Sequence, residues 1–207
     1  MKYLKTIGLA IVAATALMAL AGAGTASATV FCKNNLNTEK CSEPYPVGTV
    51  GDASLAAGTT AVLETLEGQV LDTCTAITTK ETLSNAGSAT TTVTGNVPAS
   101  NLTFSACTRA SFTLAGGQTE LHHIAGTDNG TVTGKGFEVT VNTALFGSCV
   151  YGLGSTMKDW GTVVGGSPGS MTVNAIVSRV SGICPNEARM TAKFVNTEPK
   201  AGYVAAG

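Results

Sequence analysis

From about Thr59 onward the chain runs in short stretches that alternate apolar and polar side chains, broken by Gly, Asn or Pro. Phe137, Val139 and Val141 alternate with Glu138, Thr140 and Asn142. Met171, Val173, Ala175 and Val177 alternate with Thr172, Asn174 and Ser178, Ile176 being the exception. Ala188, Met190, Ala192 and Phe194 alternate in the same way with Arg189, Thr191 and Lys193. Successive side chains of a strand point to opposite faces, so each run predicts a strand with one face on a core and the other in water.

The interruptions support the same reading. Asp128-Asn129-Gly130, between Leu121-His122-His123-Ile124 and Thr131-Val132-Thr133, predicts a hairpin, because Asn and Gly tolerate the positive φ of tight turns. Gly116-Gly117 and Gly165-Gly166-Ser167-Pro168-Gly169 are expected to turn the chain similarly. Between Thr60 and Leu71 the apolar residues at 62, 63, 66, 70 and 71 would also suit a helix face. Gly68 and the Thr-rich flanks favour a hairpin turning at Glu67-Gly68 instead. Residues 29–58, with Pro44-Tyr45-Pro46, read as irregular and hold a cysteine-closed loop. The expected fold is all-β, an antiparallel β-sandwich or barrel-like domain of about eight to eleven strands.

The first residues change the picture of where this domain works. Lys2 and Lys5 precede an uncharged apolar run from Ile7 to about Ala23, which closes on Thr25-Ala26-Ser27-Ala28. Small residues at Ala26 and Ala28 fit the A-x-A rule, so residues 1–28 read as a cleaved signal peptide, leaving 29–207 as one secreted domain. A run of about 17 residues, rich in Ala and Gly, lies at the lower edge of a bilayer span, and no membrane span is expected in the mature protein. Losing Lys2 and Lys5 leaves ten basic against thirteen acidic residues. That balance is mild and dispersed, without the basic stripe that nucleic acid requires.

All six cysteines (Cys32, Cys41, Cys74, Cys107, Cys149 and Cys184) follow the predicted cut. An even count in an exported chain argues for three disulfides. Zinc sites use close pairs such as C-x₂-C, whereas the shortest spacing here, Cys32 to Cys41, leaves eight residues between. Six cysteines allow many connectivities; Cys32–Cys41, Cys74–Cys107 and Cys149–Cys184 are preferred. The first closes a short polar loop, and each of the others joins strand-like contexts that neighbouring strands can bring together.

Candidate chemistry is sparse. Gly165-Gly166-Ser167-Pro168-Gly169 matches the G-x-S-x-G elbow of hydrolases, but that elbow needs a backbone N–H after the serine and a helix after the turn. Pro168 has no N–H and a strand is expected to follow. Glu120, His122 and His123 form the histidine cluster. Adjacent strand residues face opposite ways, so His122 and His123 cannot share one ion. Glu120, His122 and Asp128 could make a three-ligand site, against the commoner reading of solvent-facing residues near a turn. Asp128-Asn129-Gly130 lacks the spaced carboxylates of a calcium loop. Trp160 is either a surface contact or a core anchor. Asn101-Leu102-Thr103 and Asn129-Gly130-Thr131 match the glycosylation sequon. No catalytic, cofactor or metal residue is assigned.

Several segments together resemble a group of uncharacterised secreted, disulfide-containing β-rich proteins of actinobacteria. They are the Cys32…Cys41 pair, Gly58-Thr59, Leu102-Thr103-Phe104-Ser105-Ala106-Cys107-Thr108, Leu121-His122 with Gly126-Thr127-Asp128, Cys149-Val150-Tyr151-Gly152 and Cys184-Pro185. The likeness covers most of the chain after the signal, and its motifs are cysteines, strands and turns. It departs near the end, where members carry a tryptophan in the last strand and finish Leu-Tyr-Val; here stand Met190, Phe194 and Gly202-Tyr203-Val204. The resemblance implies a fold and an extracellular compartment, and no activity. A fainter likeness is to secreted β-rich proteins known as alkane-oxidation activators, from which no function is carried across.

These readings lead to an expectation: a non-enzymatic structural or binding module, secreted or loosely held at the cell surface, without a cofactor. Its partner would be an unidentified extracellular or cell-envelope component. A small-ligand carrier with an apolar pocket is the alternative. A secreted hydrolase or metal-dependent enzyme built on Glu120, His122 and Asp128 ranks below it.

Overall fold

The computed structural model describes residues 28–34, 41–109 and 113–207. The predicted signal peptide therefore lies outside the described residues, apart from Ala28. Strands dominate: β1 (Thr29–Cys32), β2 (Val50–Leu55), β3 (Ala61–Thr65), β4 (Val70–Ser88) and β5 (Thr91–Val97) come first. A single 3₁₀ turn at Ala99–Asn101 leads to β6 (Leu102–Cys107), β7 (Thr113–Ala115), β8 (Gly117–His123), β9 (Gly130–Lys135) and β10 (Glu138–Thr143). Then come β11 (Gly147–Gly152), β12 (Lys158–Val164), β13 (Ser170–Ser181), β14 (Glu187–Glu198) and β15 (Tyr203–Ala206). The fifteen strands exceed the expected range, in part because β1, β7 and β15 are too short to show alternation. Among the described residues no helix is long and apolar enough to cross a membrane.

Eight antiparallel strands close a barrel, in the order β4-β5-β8-β9-β12-β13-β14-β2 and back to β4. Closure depends on the two long strands β4 and β14, which share partners at both ends. β2 joins their C-terminal halves, with Val50–Ser54 against Thr78–Thr82 and Ser54 against Val195. β3 fills the same gap lower down, with Ala61 against Cys74 and Thr65 against Ala188. Below the closed section the sheet splays. β6 takes over from β5 beside β4, and β11 takes over from β12 beside β13, followed by β10 and β7. At the opposite end β1 and β15 pair with each other, and Val30 of β1 reaches Gly87 at the tip of β4. Closing a sheet in this way leaves the barrel section without an edge.

The alternation read from the sequence is the alternation of the barrel wall. Val139, Val141, Val173, Ala175, Val177, Ala188, Met190 and Ala192 are buried, and Ile176, out of phase, sits on the outer face at 39% exposure. Trp160 is a core residue, its ring stacked on Phe137 at 5.1 Å. The preferred disulfides are the ones formed: Cys32–Cys41, Cys74–Cys107 between β4 and β6, and Cys149–Cys184 from β11 to the loop after β13.

Two local expectations need correcting. The stretch 29–58 is not irregular throughout, since it supplies β1 and β2. β1 finds its partner near residue 205, and the inner face of β2 is only Gly51, Ala53 and Leu55, so neither stands out in local patterning. The hairpin at Asp128-Asn129-Gly130 is also wider than a tight turn. Its loop spans 124–129, the Thr127 N–H donates to the Ile124 carbonyl, and the positive φ falls on Gly126 at 74°. Asn129 works at long range instead, accepting the Gly165 N–H on Oδ1 at 3.0 Å and tying the β8–β9 loop to the β12–β13 loop.

Candidate functional site: the barrel lumen

Period two turns one side chain in every pair toward the barrel axis. On β4 these are Ile77, Thr79, Glu81 and Leu83; β5 adds Val93, Gly95 and Val97, and β8 adds Thr119 and Leu121. They do not meet at the centre. They enclose a cavity of about 200 Å³ that β9, β12, β13 and β14 complete with Val132, Val163, Met171, Val173 and Phe194. The stacked Phe137 and Trp160 rings border it toward the splayed end of the barrel. Phe31 of β1 and Pro199 border it toward the opposite end, where the Phe31 ring lies 5.2 Å from that of Tyr45. Tyr45 is anchored in turn, its hydroxyl donating to the Ala201 carbonyl at 2.9 Å.

Two carboxyl groups, Glu81 and Asp52, interrupt this mainly apolar lining. Glu81 stands opposite Gly51 of β2 and leans diagonally over Gly95 of β5 to Thr119 of β8, whose hydroxyl donates to its Oε1. Gly95 makes this possible, because a Cβ built there would overlap the Glu81 carboxyl. The residue is half-buried by surface area because it borders the cavity, yet protein surrounds the carboxyl closely. Burial therefore raises its pKa above the ordinary 4.5, and the Thr119 hydrogen bond offsets part of that rise. The other of the two, Asp52, is tied to Lys80 at 2.9 Å, and among the described residues the lining includes no Lys, Arg, His or Cys.

The raised pKa has a consequence for stability. A carboxyl that holds its proton more tightly when folded contributes fully below its unfolded pKa, and this contribution is lost as pH rises through the folded value. Glu81→Gln keeps the shape without the titration. The melting temperature of the wild-type protein should therefore drop relative to Glu81→Gln as pH climbs from below 4.5. Parallel pH profiles of the two proteins would contradict a raised pKa.

The residues singled out from sequence lie elsewhere. Glu120 and His122 share the face of β8 opposite to Thr119, but Glu120 accepts the Thr92 hydroxyl and His122 Nε2 lies 3.4 Å from Thr133 Oγ1. His123 points the other way from His122, with its Nε2 at 2.8 Å from the Thr127 carbonyl. Asp128 is engaged through its backbone carbonyl, which accepts the Val204 N–H at 2.9 Å. Glu120, His122 and Asp128 do not converge on a common point: among the described residues, the group of three with ligand atoms inside 4.8 Å is Asp72, Cys74 and Cys107. Its two sulfurs are bonded to each other, which removes the thiolates a metal would need. Ser167 is exposed in a loop that Gly166 pins to Gly202.

Sequence reasoning passed over Glu81. In Thr78-Thr79-Lys80-Glu81-Thr82-Leu83 it looks like ordinary surface polarity. The usable signal was phase, since Glu81 stands two and four residues from Leu83 and Ile77, on their side of the strand. No family model matches the chain, and neither the curated proteins nor the solved structures offer a match.

Proposed function

We propose that this protein is a non-enzymatic extracellular binding module, a carrier that holds one small, mainly apolar molecule inside its barrel. The cavity itself is the observation that supports the reading. Protein interiors are close-packed, with few voids larger than a water molecule. Larger side chains at Val132 or Val163 could fill the cavity; a bound ligand makes use of it. Three disulfides fit an oxidising compartment, and secretion, like kinship with the actinobacterial β-rich proteins, belongs to the same proposal.

Two measurements test the reading. Native mass spectrometry of protein purified from its own host should show a retained small molecule. Binding of an apolar aromatic probe such as naphthalene should change the emission of Trp160, the protein's one tryptophan, and saturate at one per chain. Val132→Trp, which fills the cavity from β9, should weaken that binding at least tenfold while the protein still melts cooperatively. An unchanged affinity in folded Val132→Trp would place the probe outside the barrel and end the carrier reading.

A further inference from the structure

The geometry of Glu81 points to the chemical class of the ligand, and this inference rests on the carrier reading above. We propose that the lumen takes a compact, neutral, apolar molecule bearing a single hydrogen-bond acceptor, such as a carbonyl or ether oxygen. Glu81 recognises that oxygen through its Oε2.

Three features lead to this assignment. First, the carboxyl is held in place rather than left loose, because it lies across Gly95 with Oε1 taken by the Thr119 hydroxyl. Oε2 has no partner among the described residues, so one oxygen of a fixed group remains for whatever enters. Second, among the described residues the lining contains no cation to balance a carboxylate, and the other acidic residue there, Asp52, is already paired with Lys80. Such surroundings favour the protonated form of the carboxyl, and with Thr119 donating to Oε1 the proton belongs on Oε2. Glu81 is then a donor, and its complement is an acceptor without charge. Glu120, the nearest titratable group on β8, is on the other face and accepts from Thr92, so it does not compete. Third, size limits the remainder. A dry cavity of about 150 Å³ holds benzene; about 200 Å³ accommodates a ring with a short substituent or a chain of similar bulk.

The test compares three probes of one shape: acetophenone, which carries an acceptor, ethylbenzene, which lacks it, and 1-phenylethylamine, which is a cation. Affinities are measured by calorimetry at mildly acidic pH for the wild-type protein, Glu81→Gln and Glu81→Leu. The wild-type protein should favour acetophenone over ethylbenzene by roughly tenfold more than Glu81→Leu does. Glu81→Gln keeps a donor and should retain most of that preference. Raising the pH should erode the preference in the wild-type protein and leave Glu81→Gln unchanged. If wild type and Glu81→Leu bind both neutral probes with the same ratio, Glu81 does not read the ligand, although the carrier reading stands. A preference for 1-phenylethylamine would mean an ionised Glu81 and overturn the assignment. Binding of none of the three would remove the carrier reading together with it.

Discussion

Replacing Cys149 and Cys184 together by alanine is expected to reduce the unfolding free energy by about 3–4 kcal/mol, a large part of the roughly 5–15 kcal/mol that a domain of this kind has. The two residues are 35 apart, so the bridge closes a long loop in the unfolded chain and removes much of its freedom. The folded state makes the loss more damaging. β11 meets the barrel through only three register pairs with β13, interrupted by a bulge between Val150 and Tyr151. β10 and β7 hang on β11 in turn. The sulfurs, both buried, rivet that flap to the loop after β13. Cys74–Cys107 closes a loop of similar length, but β4 and β6 already share five register pairs. Urea titrations should therefore show both double variants weakened. Hydrogen exchange at β10 and β11 should rise selectively in the Cys149/Cys184 variant. A loss below about 1 kcal/mol would show that the flap holds without its rivet.

Sequence reveals this molecule unevenly, and the division follows the range of the interactions. Strands whose alternation is complete within a few residues, such as Phe137–Val141 and Ala188–Phe194, are legible because each inward residue has its own apolar side chain. The bridges are legible because each joins segments close in sequence, one across a short loop and two across one or two strands. Closure is not. It depends on β4 exchanging β6 for β5 and β3 for β2 along its length, and nothing in residues 70–88 marks the exchange. The same holds for the end closed by β1 and β15, where Thr29 reaches His123: its Oγ1 accepts that residue's N–H at 3.0 Å across 94 positions. Glu81 falls between these cases. Its phase with Ile77 and Leu83 was visible, but its meaning required Gly95 and Thr119 on two further strands. Meanwhile the residues that looked chemical, Glu120, His122 and Asp128, form separate contacts because two face outward and the third serves through its backbone.

Asp72 is the other polar group whose loss should be severe: Asp72→Ala is expected to destabilise the protein by about 2–4 kcal/mol, and Asp72→Asn by roughly half as much. Only 1% of its surface is exposed, although it stands beside Thr73 in a stretch that reads as polar. What buries it is the turn after β6. Asp72 Oδ1 accepts the Thr108 hydroxyl at 2.6 Å, the Thr73 N–H at 2.8 Å and the Arg109 N–H at 3.1 Å. One oxygen thereby fastens the end of β6 to β4, next to the Cys74–Cys107 bridge. Alanine would leave the Arg109 N–H without this acceptor, and Thr73 with only the longer contact to Thr108 at 3.2 Å. Asparagine keeps an acceptor in place but loses the charge that strengthens all three bonds. The comparison therefore separates charge from shape. Urea unfolding of the two variants should rank alanine well below asparagine; if alanine falls within about 0.5 kcal/mol of wild type, the disulfide alone holds β6 and the carboxylate is dispensable.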